Sequence, residues 1–338
     1  MDRERYSRQM LFAPIGEEGQ EKLKNSAVLI VGCGALGTVA ANQLVRAGVG
    51  HVRIVDRDFV ETSNLQRQML FTEEDAAHMM PKAIAAKSRL EEMNSGVEIE
   101  GIVTDVNAGS IENLLENMDL VVDGTDNFST RFLLNDACYK HGLPYMYGGA
   151  VSSRGMSASF IPGETPCLRC LLGSGYDSSG DTCDTIGVIS PIVDIIASIE
   201  TAEALKWLTG RKDKMRRSLL QMDVWSFQTQ EITFKSPRPD CLTCGTKEYP
   251  DLQQARADEA VSMCGRDSVQ IHSRTSFDLN QLAEQLQAVL NVEVTPFLLR
   301  VEISSDERLV VFSDGRVLVQ GTDDISRAKT LVARYIGS

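Results

Sequence analysis

The sequence predicts an α/β fold: a doubly wound, mostly parallel sheet in the first two thirds, followed by a small C-terminal α+β module. Three observations carry this. Short apolar runs alternate with helical patterns, a glycine turn joins the first run to the first helix, and the pattern changes past residue 250. The run AVLIV (27–31) ends in GCGALG, and a helical pattern continues to residue 47. HVRIVD (51–56) reads as a second strand, and PKAIAAKSRLEEM (81–93) as a helix with proline in its first turn, where proline is tolerated. VEIEGIV (97–103) and DLVVDG (119–124) are further strands, separated by a helix with Ile111, Leu114 and Leu115. A helix over 127–141 and a strand LPYMYGG (143–149) complete the series, and spacings of this kind imply right-handed crossovers between parallel strands. Residues 171–187 are rich in Gly, Ser and Asp and read as a flexible connection. A helix over 191–209 and a hairpin-like pair over 218–234 follow. KSPRPDCLTCGTKEYPDL marks a boundary, dividing the chain into domains 1–248 and 255–338. The second domain reads as helix (279–290), strand (297–303), strand (308–312), an Asp314-Gly315 turn, strand (316–320) and helix (324–335).

With 338 residues and 43% hydrophobic content, the chain has ample material for a core. Its formal charge of −13 excludes a broad nucleic-acid-binding surface and makes any local cluster of Arg and Lys informative. The start, MDRERYSRQM, lacks a signal-peptide core, and no run approaches the length of a membrane span. The expectation is a cytoplasmic protein with no membrane partner. In that compartment its eight cysteines read as metal ligands, reactive thiols or small buried residues, not as a disulfide frame.

Gly32, Gly34 and Gly37, with Ala35 among them, form a GxGxxG turn between strand and helix. Such a turn lets main chain approach a phosphate and offers it the N–H groups of a helix start. Asp56 closes the next strand, where a carboxylate accepts hydrogen bonds from ribose hydroxyls. These features alone fit NAD as readily as ATP. The stretch after Asp56 favours ATP: Asp58, Ser63, Asn64 and Arg67 lie beside the site, and Lys82 opens the following helix. Extra cationic groups suit a triphosphate under attack by an anion; the plain alternative is two solvated surface charges. Asp126 and Asn127 follow the strand ending in Asp123-Gly124, the edge where such sheets bind ligands. Asp126 is a natural Mg²⁺ ligand, or a helix cap, or both. Cys167 and Cys170 form one CxxC pair and Cys241 and Cys244 another. Four thiolates satisfy tetrahedral zinc with no position left open, a structural Zn²⁺ site; a single pair could instead be a redox motif. Flanking Pro and Gly place both pairs in loops, which favours a zinc-bound loop region. The histidines at 51, 78, 141 and 272 fall outside every motif.

With these residues in view, the chain resembles the MoeB/ThiF group, bacterial relatives of ubiquitin-activating enzymes with a Rossmann-like sheet. The matching pieces are RYSRQ (5–9), GCGALG, VDRD (55–58), SNLQRQ (63–68), Lys82, GTDN (124–127), CLRC, DTCDTIGV (181–188) and CLTC. Matches run in order along residues 1–245; the C-terminal module is absent from shorter members. Ala35 departs from a glycine often found in the turn. The resemblance implies an adenylyltransferase that joins ATP to the C-terminal glycine carboxylate of a ubiquitin-like sulfur-carrier protein ending in Gly-Gly. Carrier candidates are ThiS-like, for thiamin biosynthesis, or MoaD-like, for molybdenum cofactor biosynthesis. By position, Asp56 would hold the ribose, Asn64, Arg67 and Lys82 the phosphates, and Asp126 the magnesium. Arg8 would reach the ATP of a second subunit in a homodimer. Cys183 matches a cysteine that ThiF-like members can link covalently to the carrier and that MoeB-like members manage without. Asp181 and Asp184 beside it would raise a thiol pKa. An NAD-dependent oxidoreductase and a non-catalytic scaffold that binds a ubiquitin-like protein are the competing readings.

Overall fold

The computed structural model describes residues 2–173, 186–253, 260–263, 267–273 and 276–337. The chain forms two compact units, Met1–Arg256 and Ala257–Ser338. In the first, eight strands make one sheet: β1 (Ala27–Val31), β2 (His51–Asp56), β3 (Glu98–Val103), β4 (Leu120–Asp123), β5 (Tyr145–Val151), β6 (Arg154–Phe160), β7 (Ser218–Asp223) and β8 (Gln228–Thr233). Their spatial order is β3-β2-β1-β4-β5-β6-β7-β8. The strands from β3 to β5 run parallel, and β6 to β8 continue the sheet antiparallel.

AVLIV becomes the central strand because it is apolar on both faces. Val28 and Ile30 point into one core with Ala41, Leu44 and Val45 of the helix Ala35–Ala47, Ala86 and Leu90 of the helix Lys82–Met93, and Ala204 and Leu208 of the helix Ser190–Leu208. Leu29 and Val31 point into the other, with Ile111, Leu114 and the helix Phe128–His141. A strand buried on both sides loses the polar alternation of an exposed one, which is why it reads as a continuous apolar run. The strand expected at 143–149 lies two residues later. β6 was not expected at all, because RGMSASF offers small residues where β-branched ones usually mark a strand. Small residues are required there: a Cβ on Gly155 would come within 3 Å of the Ile196 side chain.

The second unit is a six-stranded antiparallel sheet ordered β11-β12-β13-β14-β10-β9. Its strands are β9 (Ala260–Met263), β10 (Ser268–His272), β11 (Asn291–Val294), β12 (Leu298–Glu302), β13 (Arg308–Phe312) and β14 (Arg316–Gln320). Val269, Leu299, Leu309, Val311 and Val317 meet Leu282 and Leu286 of the helix Leu279–Leu286 and Leu331 of the helix Ile325–Tyr335. Asp278 and Asp324 cap these helices through their carboxylates. The helix expected to reach residue 290 stops at Leu286, and β11 takes up the chain five residues on. Among the described residues no helix is long and apolar enough to cross a membrane.

Three main-chain segments meet at the glycine turn. Gly32 has φ +87°, and a Cβ there would lie 2.7 Å from the carbonyl of Gly124. Gly124 donates to Val31 O at 2.7 Å, and a Cβ on Gly37 would overlap the Gly32 carbonyl oxygen. Gly→Ala inside a helix normally stabilises by about 1 kcal/mol. For Gly37→Ala the sign reverses, with an expected loss of about 1–3 kcal/mol from overpacking. Urea unfolding of the two proteins measures this, and an unchanged or higher midpoint would remove the steric argument.

Candidate functional site

The glycine turn opens the helix Ala35–Ala47 at the carboxyl edge of the sheet. Its first residue follows Gly34, which has no side-chain cap, so the first turn's N–H groups face the edge as an anion cradle. Asp56 ties this turn to β2. Its two oxygens accept from Cys33 N at 2.6 Å and Asp58 N at 2.7 Å, and a carboxylate with one bond on each oxygen keeps lone pairs for a hydroxyl ligand. Burial, the largest influence, raises the Asp56 pKa, against the pull of Lys82.

A short pairing of the chain over 58–60 with 80–82 places Lys82. Val60 N donates to Met80 O at 2.8 Å and Lys82 N to Asp58 O at 2.9 Å. The Lys82 side chain is only 4% exposed, and Nζ lies 3.3 Å from Asp58 Oδ2. That burial rejects a solvated surface charge. Arg57, not singled out from the sequence, joins the cluster through Asp105 at 3.0 Å and Asp58 at 3.8 Å. Burial opposes its charge, but Asp58, Asp105 and Asp126 outweigh burial and raise its pKa. Arg67 is half-buried and donates to Ser63 O at 2.9 Å. Asn64 is buried and accepts from Glu61 N at 3.1 Å, which holds the turn carrying the exposed Ser63. Gln68, the last residue of SNLQRQ, has a buried Oε1 with no hydrogen-bond partner among the described residues, and a Cβ on Gly34 would lie 3.9 Å from its Nε2.

At the end of β4, one of the two readings of Asp126, the helix cap, falls away. Asn127, not Asp126, caps the helix Phe128–His141, its side chain accepting from Thr130 N at 2.8 Å. Asp126 stays exposed beside the site. Beneath it, Asp123 is fully buried and accepts from the main-chain N and the hydroxyl of Thr125 at 2.9 and 2.6 Å. The hydroxyl of Tyr145 donates to its other oxygen. Glu200, on the helix Ser190–Leu208, packs its carboxyl over Gly148 with no hydrogen-bond partner for either oxygen among the described residues. Burial first and Asp123 second raise its pKa well above the usual carboxylate range, which favours the neutral acid.

Arg8 sits elsewhere in its own chain. Its neighbour Gln9 donates to Ala47 O at 2.9 Å, at the end of the helix Ala35–Ala47 opposite the glycine turn. Thirteen helical residues put those ends about 20 Å apart. Arg8 itself is exposed. Cys183 lies outside the described residues, as do Asp181, Asp184 and Cys264.

The four cysteines converge from distant parts of the chain. Cys167 and Cys241 have sulfurs 3.5 Å apart and Cys170 and Cys244 3.3 Å, with all four ligand atoms within 4.8 Å of one another. A tetrahedral zinc with bonds of about 2.3 Å sets its sulfurs about 3.8 Å apart, so the cluster can hold zinc. Burial raises the Cys244 thiol to about 12. At Cys241 burial also raises it, but the N–H groups of Cys244 and Thr243 prevail and bring it to about 7. The first pair does not sit in a plain loop: Cys167 precedes the helix Leu168–Leu172, which contains Cys170. The residues between the cysteines anchor the centre. Thr243 Oγ1 donates to Asp136, Arg169 Nε donates to Thr243 Oγ1 at 3.0 Å, and Asn135 Oδ1 accepts from Leu168 N at 2.9 Å. Asp251 N donates to Asp136 at 2.9 Å, and Arg169 pairs with Asp251.

This geometry, a glycine cradle with a buried lysine at one edge and a four-cysteine centre across the sheet, has relatives. The ThiF family profile matches residues 6–243. The chain belongs to the ThiF family. The "Sulfur carrier protein ThiS adenylyltransferase" of Bacillus subtilis is 48% identical over 337 residues, spanning 98% of this chain and 99% of the relative. The "Sulfur carrier protein adenylyltransferase" of Thermus thermophilus is 38% identical over 248 residues, 72% of this chain and 90% of its own. Among solved structures, Escherichia coli MccB with ATP superposes with a TM-score of 0.63 at 24% identity, covering 71% of this chain and 74% of that one. That likeness is one of fold. The B. subtilis relative extends through the C-terminal unit, whereas the ThiF match stops before it.

Proposed function

We propose that this ThiF-family protein adenylates the C-terminal carboxylate of a ThiS-type sulfur carrier with ATP, releasing pyrophosphate. One observation carries the reading: Lys82 is buried beside Asp58 at the carboxyl edge, next to the uncapped start of the glycine-turn helix. A buried ammonium aimed at a cradle for phosphates is a costly arrangement with no use in a folding core, and a pre-formed one for neutralising a leaving pyrophosphate. The naming of the full-length B. subtilis relative favours ThiS over a MoaD-type carrier.

The carrier's terminal carboxylate is ionised at neutral pH and attacks the α-phosphorus in line, so no general base is needed. Asp56 receives the ribose hydroxyls on its remaining lone pairs, and the helix start holds phosphate oxygens. Lys82, Arg67 and Asn64 bind the phosphates, and Arg57, locked between Asp58 and Asp105, adds fixed positive charge. The exposed carboxylate of Asp126 would hold Mg²⁺, which would supply charge neutralisation to the phosphates. The absence of a histidine from the cluster agrees with a reaction that moves no proton. A NAD-dependent oxidoreductase would leave this concentration of cations unexplained, and a non-catalytic scaffold would have no use for burying Lys82. Whether Cys183 later takes up the carrier covalently is a separate step that pyrophosphate exchange does not need.

ATP–pyrophosphate exchange, run with ThiS-type and MoaD-type carriers ending in Gly-Gly, tests the activity and the choice of carrier. Lys82→Ala, Arg67→Ala and Asp126→Ala should each lower exchange by about a hundredfold or more, the loss of roughly 2.7 kcal/mol of charge stabilisation. Near-wild-type exchange in all three would discard the site.

Arg8 favours a homodimer. It is exposed and pinned far from its own glycine turn, so it serves an ATP site only across a subunit boundary, as an arginine finger does. Leu11 and Phe12 beside it are 74% and 60% exposed, apolar surface that a second copy would cover. Arg8→Ala and Lys82→Ala proteins, each inactive alone, should recover exchange when mixed and allowed to trade subunits. Mixtures that stay inactive despite verified subunit trading would defeat the trans arrangement.

The four cysteines hold one structural Zn²⁺. Metal analysis should return about one zinc per chain with four-sulfur coordination, and chelation should lower the thermal midpoint before it alters exchange. Metal-free protein of undiminished stability would contradict this.

A further inference from the structure

β4 and β5 pair only at Val121–Tyr145 and Val122–Met146. β4 ends at Asp123, so beyond those two steps no ladder ties the chain leaving it to β5. A side chain takes over. Arg131, 6% exposed, donates from Nη2 to Thr125 O at 2.7 Å on the β4 side and to Gly148 O at 3.1 Å on the β5 side. Its Nε lies 3.5 Å from Asp123 Oδ2, and its guanidinium lies 5.0 Å from the Phe128 ring centre and 5.2 Å from that of Tyr147. Thr125 is thereby held at all its polar atoms, with N–H and hydroxyl on Asp123 and carbonyl on Arg131. The next residue is Asp126.

We propose that Arg131 is a positioning residue: by bridging Thr125, just past the end of β4, to Gly148 of β5 it fixes the main chain that aims the Asp126 carboxylate into the nucleotide site. The inference rests on the magnesium role given to Asp126 above. A guanidinium suits the task where an ammonium does not. Its planar fork presents several donors in fixed directions and lies against aromatic faces, whereas lysine brings a point charge on a flexible stem. Arg131 is buried, and its effect on the site passes through the Thr125–Asp126 main chain.

The test is nucleotide binding by the full-length, zinc-loaded protein, measured calorimetrically with ATP in EDTA and with ATP plus Mn²⁺, alongside thermal unfolding. In wild type Mn²⁺ should strengthen binding. In Arg131→Lys, binding in EDTA should be unchanged while the gain from Mn²⁺ falls about ten- to a hundredfold, the usual cost of losing a partner behind a metal ligand. A purely structural arginine would lower the thermal midpoint and leave the Mn²⁺ gain intact, and that result would overturn the proposal. So would an equal loss with and without metal. If Arg131→Lys does not fold, Asp123→Asn weakens the same clamp at constant size and should reduce the Mn²⁺ gain; a wild-type gain there overturns the proposal too. Failure of the magnesium reading looks different, because then Mn²⁺ does not strengthen binding even in wild type and both inferences fall together.

Discussion

Where Gly32, Gly37 and Gly124 meet, no side chain separates the first strand's exit, the helix after it and the end of β4. Packing forces between backbones fall off steeply with distance, so this crossing determines how near the helix start can come to the strand ends. The sheet order puts β2 on one side of β1 and β4 on the other, and chains leaving in opposite directions open a crevice there. Asp56, Lys82 and Asp126 reach that crevice from three different segments because the crossing is tight. One methyl group at the crossing would push the cradle away from all of them.

An acidic protein that must bind a polyanion has an electrostatic difficulty, since its overall field repels the ligand. Here the cations are concentrated and held by carboxylates. Arg57 lies between Asp58 and Asp105, and Lys82 lies against Asp58. These pairs keep the positive groups oriented in a poorly solvated place without a net charge that would splay them. Phosphates entering the proposed site would meet dipoles and charges already aimed, leaving little reorganisation for the reaction itself.

Much of this was legible in the sequence, and the unread parts share a cause. Strands buried on both faces announce themselves by composition, as do CxxC pairs and a glycine turn between strand and helix. Position relative to the sheet edge made Asp56, Lys82 and Asp126 candidates. Arg57 and Arg131 escaped notice because their significance lies in burial and in partners such as Asp105, Thr125 and Gly148, which pairing along the chain does not reveal. Arg131 looks like an ordinary helix arginine until its nitrogen is seen joining the carbonyls of Thr125 and Gly148. β6 was missed for a related reason: small and polar residues form strands when neighbours dictate it, and local propensity carries no trace of that; β10 did carry a signal, the alternating Val269 and Ile271 of SVQIH, too short to stand out. The sequence left Asp126 open as magnesium ligand or helix cap because Asp and Asn suit a cap about equally well, and Asn127 takes that place.

Asp251 lies eight residues past the end of the ThiF match, yet its amide and carboxylate are bound into the support of the cysteine centre through Asp136 and Arg169. The lead-in to the C-terminal unit is therefore stitched to the adenylation unit before it departs. A graft that joined a different module directly after Cys244 would strand Arg169, a nearly buried cation, with Asp136 as its remaining carboxylate partner among the described residues. Swapping tails on this scaffold is thus not a matter of cutting at the last motif; the seam runs through Asp251, and any exchanged segment has to bring its own anion to that spot.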